Sequence, residues 1–111
     1  MEDLETRYGK DTILFKSTST LVKLLFVKEC QSTPIQKYTK SRLFLYVFKG
    51  ELKLSFGIMG KHVYIFPDQY WEIVKNEPFQ ITNNSETGAL VVLAVQRGEV
   101  QEEPEIERFK Q

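Results

Sequence analysis

Few side chains of the kinds that perform catalysis or bind metals occur in this sequence, and they are scattered. His62 is the only histidine, and we interpret it as a strand-end residue rather than a base or a ligand. Cys30 is the only cysteine, and we expect a small buried hydrophobe, because Lys28 alone gives weak support for a reactive thiol. Asp68 and Glu72 could form a carboxylate pair, but turn and solvent-facing positions explain them equally well. We therefore assign no catalytic residue and lean against an enzyme.

A basic cluster and an aromatic pair are better suited to protein recognition. Lys37, Lys40 and Arg42 form a solvated loop in the simplest interpretation, and a rim for an acidic partner segment in the functional one. Tyr70 and Trp71 are adjacent, so in a strand they point to opposite faces, one into the core and one outward. Because aromatic residues contribute heavily to interfaces, these five residues form the predicted partner-docking surface.

The elements that must position these residues are short strands, and residues 42–57 form the central pair. The six apolar residues from Leu43 to Phe48 favour a strand buried on both faces. After a turn at Lys49-Gly50, the alternation over 52–56 favours a strand with one wet face. Two adjacent strands of these kinds indicate the wall of a small barrel or sandwich.

Similar signals along the rest of the chain predict about eight strands and no helix. The predicted strands cover residues 12–15, 20–30, 43–48, 52–56, 62–66, 70–74, 79–83 and 89–95. Short strands separated by turn-forming residues are typical of an all-β barrel or sandwich. We divide the chain into a flexible N-terminal arm (1–10), a barrel (11–98) and an acidic C-terminal tail (99–111).

Composition limits the classes of function. The 111 residues are enough for one domain with a core. With 15 basic and 15 acidic residues the formal net charge is zero, so direct binding of nucleic acid is not expected. The single cysteine favours an intracellular protein. No apolar run approaches the roughly 20 residues of a membrane span, and the acidic N-terminus is unlike a signal peptide, so we expect no membrane association.

Three segments together resemble the cupin superfamily over roughly residues 12–97. They are Tyr46 to Leu52, Phe79 to Ser85 and Ala89 to Gln96. The resemblance implies an all-β fold, the cupin double-stranded β-helix or jelly-roll barrel. It also implies a protein that is often dimeric and has a central cavity that commonly holds a metal.

The first metal-binding motif implied by this resemblance lacks suitable side chains. Counting back from Gly50, Leu43 stands at the position of the metal-binding glutamate. The two histidine positions fall on Gln36 and Tyr38 or, in a shorter spacing, on Lys37 and Thr39. None of these is a histidine, a carboxylate or a thiolate, the usual donors for a transition metal.

The second motif lacks a histidine in either register. Anchored on Asn83, it places Val74, Asn76 and Phe79 at its proline, glycine and histidine positions. Anchored on Pro67, it places Gln69, Glu72 and Asn76 at the later positions. We therefore predict a barrel interior filled with apolar side chains, without a metal or another cofactor.

Two branches of the superfamily share features with the chain. One is the C-terminal cupin of centromere protein C, which lacks metal ligands and has an apolar residue where Leu43 stands. It shares the pattern of residues 46–50 and, with one change, that of 79–83, but its Pro-Arg-Gly-Asn turn is replaced by residues 74–77. This resemblance implies homodimerisation, protein docking and a nuclear location.

The other branch is the cupin of mannose-6-phosphate isomerases. Gln36 falls on the metal-binding glutamine of that family, and segments 95–98 and 105–109 resemble its ending. The missing histidines and glutamate make activity of that kind an alternative only. It implies a cytoplasmic protein that binds, or isomerises, a sugar-phosphate-like molecule in the barrel cavity.

We predict a non-catalytic cupin that acts as a homodimerisation and protein-interaction module. A wall strand that is apolar on both faces has one face for the core and needs a cover for the other, which a second subunit can supply. The dimer-interface candidates are Leu43, Leu45 and Val47 on one face and Phe44, Tyr46 and Phe48 on the other. The acidic tail, Glu99 to Glu107, is a predicted cover for the basic rim.

Overall fold

A computed structural model describes residues 2–57 and 60–99, together with the backbone of 105–106. The regular elements of these residues are eleven strands: β1 (Glu2–Glu5), β2 (Gly9–Lys16), β3 (Thr20–Val27), β4 (Gln36–Lys37), β5 (Ser41–Lys49), β6 (Leu52–Phe56), β7 (Lys61–Ile65), β8 (Tyr70–Ile73), β9 (Phe79–Asn83), β10 (Leu90–Gly98) and β11 (Glu105–Ile106). All eight predicted strands form, and the all-β prediction is confirmed. The described part of the chain has no helix that could cross a membrane.

The strands form two sheets whose neighbouring strands are antiparallel. Sheet A has the order β1-β2-β3-β10-β5-β8, and sheet B has the order β11-β4-β9-β6-β7. The core joins the inward side chains of both sheets, such as Leu45 and Val47 from sheet A and Leu52 and Leu54 from sheet B, all fully buried. In β6 the inward side chains alternate with polar ones in the sequence, whereas in β5 they lie within a continuous apolar run.

The expectation that β5 and β6 are adjacent in one wall is wrong. β5 lies between β10 and β8 in sheet A, whereas β6 lies between β9 and β7 in sheet B. The chain crosses between the sheets at Gly50, whose φ is 90°. A Cβ there would lie 2.7 Å from the hydroxyl oxygen of Ser85, which accepts a hydrogen bond from the Glu51 amide. The turn residues were evident in the sequence, but the partner of each strand was not.

β5 is not buried on both faces within a single chain. Leu43, Leu45 and Val47 are buried, Phe44 and Tyr46 are half-buried, and Phe48 is 51% exposed. The continuous apolar run therefore has two environments: a core on one side and a surface on the other.

Three strands had no signal in the sequence. β1 pairs with β2 along its whole length, within the segment expected to be a flexible arm, and all four of its residues are exposed. β4 has only two residues, and β11, within the predicted acidic tail, pairs with it. β1 has no buried face, and β4 and β11 have only two residues each, so none of the three presents a hydrophobic alternation that a search for periodicity could find.

Candidate functional site

A cavity of about 160 Å³ lies between the two sheets, and its lining is partly polar. Its polar side chains include Tyr8, Asp11, Lys23, Gln36, Tyr38 and Gln96. The prediction of an interior filled with apolar side chains is therefore wrong at this end of the barrel. Elsewhere between the sheets the core is largely apolar, and it includes buried Asn83, whose amide donates to the carbonyl oxygens of Val27 and Gly88.

The β2–β3 pairing positions an ion pair in this cavity. Asp11 lies opposite Leu25, and Lys23 lies opposite Ile13, so the acid and the base are diagonal neighbours on the inner face of sheet A. Lys23 Nζ lies 3.7 Å from Asp11 Oδ2, and the two side chains are 12% and 10% exposed. The hydroxyl of Tyr8 donates to the Asp11 carboxylate, with both oxygens at 3.3 Å. We call Tyr8, Asp11, Lys23 and Tyr38 the cavity cluster.

The electrostatics of the cavity cluster keep its phenols protonated. Burial raises the pKa of Tyr8 to about 12, and the negative charge of Asp11 adds to this shift. Burial, followed by the same charge, raises the pKa of Tyr38 well above its ordinary value. Burial also raises the pKa of Asp11, against the opposing effects of Lys23 and the hydrogen bond from Tyr8. Both tyrosines are therefore hydrogen-bond donors at neutral pH.

The positions of the cupin metal motifs meet in this cavity. Gln36, Tyr38, Leu43 and Phe79 line it, whereas Lys37 and Thr39 are not among its lining residues. Both histidine positions of the longer spacing of the first motif therefore line the cavity, and so does the histidine position of the Asn83 register, Phe79. The rings of Tyr38 and Phe79 are stacked, with centroids 6.2 Å apart.

These four residues do not fit a transition metal. They offer one amide, one phenol and two hydrocarbon side chains, whereas such metals take imidazole, carboxylate or thiolate donors. Among residues 2–57 and 60–99, no three His, Cys, Asp or Glu side chains are grouped closely enough to share a metal ion. That the protein carries no metal remains a prediction.

The histidine and the cysteine lie outside the cavity. His62 is exposed on β7, with its ring 5.6 Å from that of Tyr64 in an edge-on arrangement, which agrees with a strand-surface residue. Cys30 is exposed, so the expectation of a buried residue is wrong. Because β3 ends at Val27, Cys30 falls in the following turn, where its φ is 61°.

Asp68 and Glu72 have separate partners rather than forming a carboxylate pair. Asp68 accepts a hydrogen bond from the Tyr46 hydroxyl at 2.6 Å. Glu72 accepts one from Arg42 at 3.1 Å. Both contacts lie on the exposed surface of sheet A, and this surface is the second candidate site.

The outer face of sheet A is apolar across its four strands from β3 to β8. On this face Leu93 of β10 lies between Leu24 of β3 and Tyr46 of β5. The outward apolar residues, here called the outer apolar face, are Val22, Leu24, Phe26, Val91, Leu93, Val95, Phe44, Tyr46, Phe48 and Tyr70. They are half-buried or exposed. Sheet B lies against the opposite face of sheet A, so no described strand covers this one.

Aromatic rings are concentrated on the β5–β8 side of this face. The rings of Phe44 and Tyr70 are stacked with centroids 5.1 Å apart. Those of Tyr46 and Phe48 meet edge to face, also at 5.1 Å. Tyr70 is 63% exposed. A contiguous set of partly exposed aromatic side chains is the composition enriched at protein interfaces.

The structure separates the predicted interface residues by face. Leu43, Leu45 and Val47 belong to the core, so Phe44, Tyr46 and Phe48 are the members of that set with surface to offer. Of the predicted docking pair, Tyr70 points outward, whereas Trp71 packs against the core with its ring 5.6 Å from Phe56.

The predicted basic rim does not form one cluster. Lys37 lies on β4 in sheet B, whereas Arg42 lies on β5 in sheet A. Lys40 lies between them, and its Nζ is 3.7 Å from Glu99 at the beginning of the acidic tail. Glu105 lies opposite Lys37 in the β11–β4 pair. The tail therefore meets residues of the predicted basic rim at two places, at Lys40 through Glu99 and at Lys37 through Glu105.

Two features were missed in the sequence. Asp11 and Lys23 were not singled out, although Lys23 interrupts the inward series Leu21, Leu25 and Val27, which was an available signal. Arg97 lies directly opposite Arg42, and both line an open groove with Lys75 and Glu72. No sequence pattern could have shown this pairing, because it depends on the register between β10 and β5.

Comparison with known proteins identifies the fold. No protein-family model and no curated protein matches the sequence. The Cnp3 cupin domain of Schizosaccharomyces pombe matches in structure with a TM-score of 0.74 and 12% identity, over 80% of this chain and 64% of that one. A Klebsiella pneumoniae protein with a double-stranded β-helix domain gives 0.72 and 11%, over 88% and 74%. The Lactobacillus farciminis oxalate decarboxylase gives 0.78 and 14%, over 89% and 31%.

The chain therefore has the cupin double-stranded β-helix fold, as the sequence resemblance predicted. It spans just under two thirds of the Cnp3 chain and about a third of the decarboxylase. At such identities the likeness extends to the fold alone. Because the matching structures include an enzyme, the fold does not decide whether this chain is catalytic.

Proposed function

We propose that this chain is a non-catalytic cupin module that forms a homodimer through the outer apolar face. It docks another protein at a basic edge, defined here as the groove lined by Arg42, Lys75 and Arg97. The observation that carries the proposal is the outer apolar face itself. Scattered surface hydrophobics are ordinary, but contiguous apolar patches on a soluble protein mark interaction sites.

A second copy of the chain is the occupant that best matches this face. A two-fold dimer places the same patch on both sides of the interface, so the patch must complement itself. The aliphatic side chains of β3 and β10 lie beside the aromatic rings of β5 and β8, and rotation about a two-fold axis can bring one kind against the other. Charged residues such as Arg42, Glu72 and Arg97 lie at one end, as a polar rim should.

The basic edge next to this face supports docking of an acidic partner segment. Arg42, Lys75 and Arg97 line one groove, with Glu72 as the acidic residue among its lining side chains. Like charges placed directly opposite each other in a sheet are unfavourable, so Arg42 and Arg97 favour an additional negative group between them. Such complementarity would also speed association with the partner. This site replaces the predicted rim of Lys37, Lys40 and Arg42.

A non-catalytic role is supported by the residues at the motif positions. Gln36, Tyr38, Leu43 and Phe79 provide no carboxylate, imidazole or thiolate in the cavity. A nuclear location follows only from the resemblance to centromere protein C, and a cytoplasmic one from the alternative branch.

Solution mass tests self-association directly. We expect the purified chain to scatter light as a dimer at micromolar concentration and Leu93→Asp to be monomeric, because the new carboxylate lies at the middle of the proposed interface. Tyr64→Asp is the matched control, since Tyr64 is an exposed aromatic residue on sheet B. A monomeric wild-type chain, or a folded Leu93→Asp variant that remains dimeric, would contradict the proposed interface.

A further inference from the structure

The basic edge carries more positive charge than its own acidic residue can neutralise. Its charged lining side chains are Arg42, Lys75, Arg97 and Glu72, and three positive groups against one negative leave a formal charge of +2. Glu72 Oε2 accepts a hydrogen bond from Arg42 at 3.1 Å. Within residues 2–57 and 60–99, neither Arg97 nor Lys75 has an ion-pair partner. The surplus therefore belongs to two exposed cations that are open to a negatively charged ligand.

The register between β5 and β10 brings the two arginines of this groove together. Arg42 lies directly opposite Arg97, and the Cβ atoms of residues in such positions are roughly 5 Å apart. Like charges at this distance repel each other, and an anion between them replaces the repulsion with attraction. The planar guanidinium group matches two oxygens of a phosphate at once, and Lys75 adds a point charge beside the pair. The two arginines are therefore placed to share one anionic group.

The size of the charge surplus favours a phosphomonoester over a carboxylate. A phosphorylated side chain carries about −1.5 to −2 at pH 7 and offers three acceptor oxygens. A carboxylate carries −1 and offers two, so it would leave part of the surplus without a counter-charge. A phosphodiester of a nucleic acid also carries a single charge, and a chain whose formal net charge is zero has no overall field to hold a polyanion.

The groove also has an apolar part, where it meets the outer apolar face. Phe44 and Val95 line it beside the charged side chains, and both are half-buried. A peptide can place an apolar side chain on these two residues while a neighbouring phosphate contacts the arginines. Free phosphate has nothing to offer this part of the groove. The combination of a dianion site with an apolar contact suits a phosphorylated peptide segment.

We propose that the basic edge binds a phosphorylated serine or threonine of a partner protein. The phosphate lies between Arg42 and Arg97, with Lys75 beside it, and Glu72 competes with the phosphate for Arg42. This inference rests on the proposed docking of a partner at the basic edge and specifies the chemistry of that partner. Phosphorylation of the partner then decides whether the two proteins associate.

Three peptides that differ at one position test the proposal. They share the sequence Gly-Asp-Xaa-Leu-Gly, with phosphoserine, glutamate or serine at Xaa, and calorimetric titration of the full chain measures each affinity. We expect the phosphoserine peptide to bind about tenfold more tightly than the glutamate peptide, and the serine peptide to bind most weakly. Equal affinities for phosphoserine and glutamate would overturn the phosphate inference and leave docking of an acidic segment intact. Failure of both peptides to bind would overturn the inference together with the proposed docking.

The pH dependence separates the two anions independently. The second pKa of a phosphomonoester is about 6, so lowering the pH from 7.5 to 5.5 protonates most of the dianion. Affinity for the phosphoserine peptide should fall severalfold, whereas the glutamate peptide, which titrates near pH 4, should change little. The arginines, Lys75 and Glu72 face both peptides alike, so a change in the protein would alter both affinities. An identical pH response of the two peptides would refute the phosphate assignment.

Single substitutions locate the site and have opposite expected signs. Arg97→Gln should weaken binding of the phosphoserine peptide about tenfold, whereas Glu72→Gln removes the competing carboxylate and should tighten it severalfold. The matched control is Arg7→Gln, because Arg7 is an exposed arginine between β1 and β2, outside the groove. If Arg97→Gln does not fold, Lys75→Gln serves instead. The solution mass should be the same for all four variants, and undiminished binding by a folded Arg97→Gln or Lys75→Gln chain would refute the assignment.

Discussion

On the inner face of sheet A, β5 contributes Leu43, Leu45 and Val47, all aliphatic and almost fully buried. On the outer face the same strand contributes Phe44, Tyr46 and Phe48, all aromatic and partly exposed. Close-packed cores favour aliphatic side chains that interdigitate, whereas aromatic side chains are enriched where a surface is buried by a partner. The two faces are equally apolar in sequence, but one is aliphatic and buried and the other is aromatic and partly exposed. Three experiments compare the two faces, and a fourth tests the tail, which lies on neither.

The largest effect should come from placing a charge on the inner face. Leu45 is fully buried, so Leu45→Asp should cost several kcal/mol, comparable with the whole stability of such a domain, and leave the chain unfolded. Tyr46→Asp, one residue along and on the outer face, should remain folded. Circular dichroism and urea titration compare the two. If both variants unfolded, or if both remained folded with the same stability, the two faces of β5 would not differ in their contribution to folding.

The outer face should respond in association rather than in folding. Phe44→Ala and Tyr70→Ala should each weaken the dimer by about 2 kcal/mol, roughly thirtyfold in dissociation constant, because the rings lie in the proposed interface. The double variant should lose less than the sum, since the two rings stack on each other. Dilution followed by light scattering measures the constants, with Tyr64→Ala as the control. Two single variants with wild-type dimer affinity would place the interface elsewhere.

Tyrosines on the two faces should titrate for different reasons. Tyr8, on the cavity side, has a pKa raised to about 12 mainly by burial, so folding stability should fall as pH rises from about 10 to 12, because the folded state holds this proton more tightly. The loss attributable to Tyr8 is on the order of 1 kcal/mol after allowance for its partial exposure, and Tyr8→Phe should remove it.

Tyr46, on the outer face, has a pKa raised mainly by its hydrogen bond to Asp68. Asp68→Asn should lower that pKa and leave Tyr8 unchanged. Ultraviolet titration of tyrosinate measures both residues. A shift of Tyr8 in the Asp68→Asn variant would show that the two faces are electrostatically coupled.

The smallest effect should come from removing the tail, which belongs to neither face. Deleting residues 99–111 removes the exposed Lys40–Glu99 ion pair, worth at most about 1 kcal/mol, and the two-residue strand β11. The chain should remain folded and dimeric, and it should bind an acidic peptide more tightly, because the deletion removes Glu99 and the other tail carboxylates that follow the groove-lining Arg97 and Gly98. Thermal unfolding and peptide titration measure these outcomes. Unfolding of the truncated chain would show that the tail belongs to the core.

The sequence by itself determined the strands and the fold class. The alternation over 52–56, the apolar run over 43–48 and the turn at Gly50 are local features, and local sterics and the period of a strand dictate them. That neither spacing of the first motif and neither register of the second supplies a histidine was also evident, because side-chain identity needs no coordinates. These features were sufficient for the cupin resemblance.

Only the tertiary structure decided which strands pair, which face of β5 is covered and where the polar side chains meet. Strand partners follow from register over long separations, so the sequence could not show that Arg42 faces Arg97. Asp11 and Lys23 meet because the β2–β3 register makes them diagonal neighbours on the face that lines the cavity, and the sequence does not show that register. Periodicity assigns residues to alternate faces of a strand, but only the packing of the two sheets determines which face is the interior.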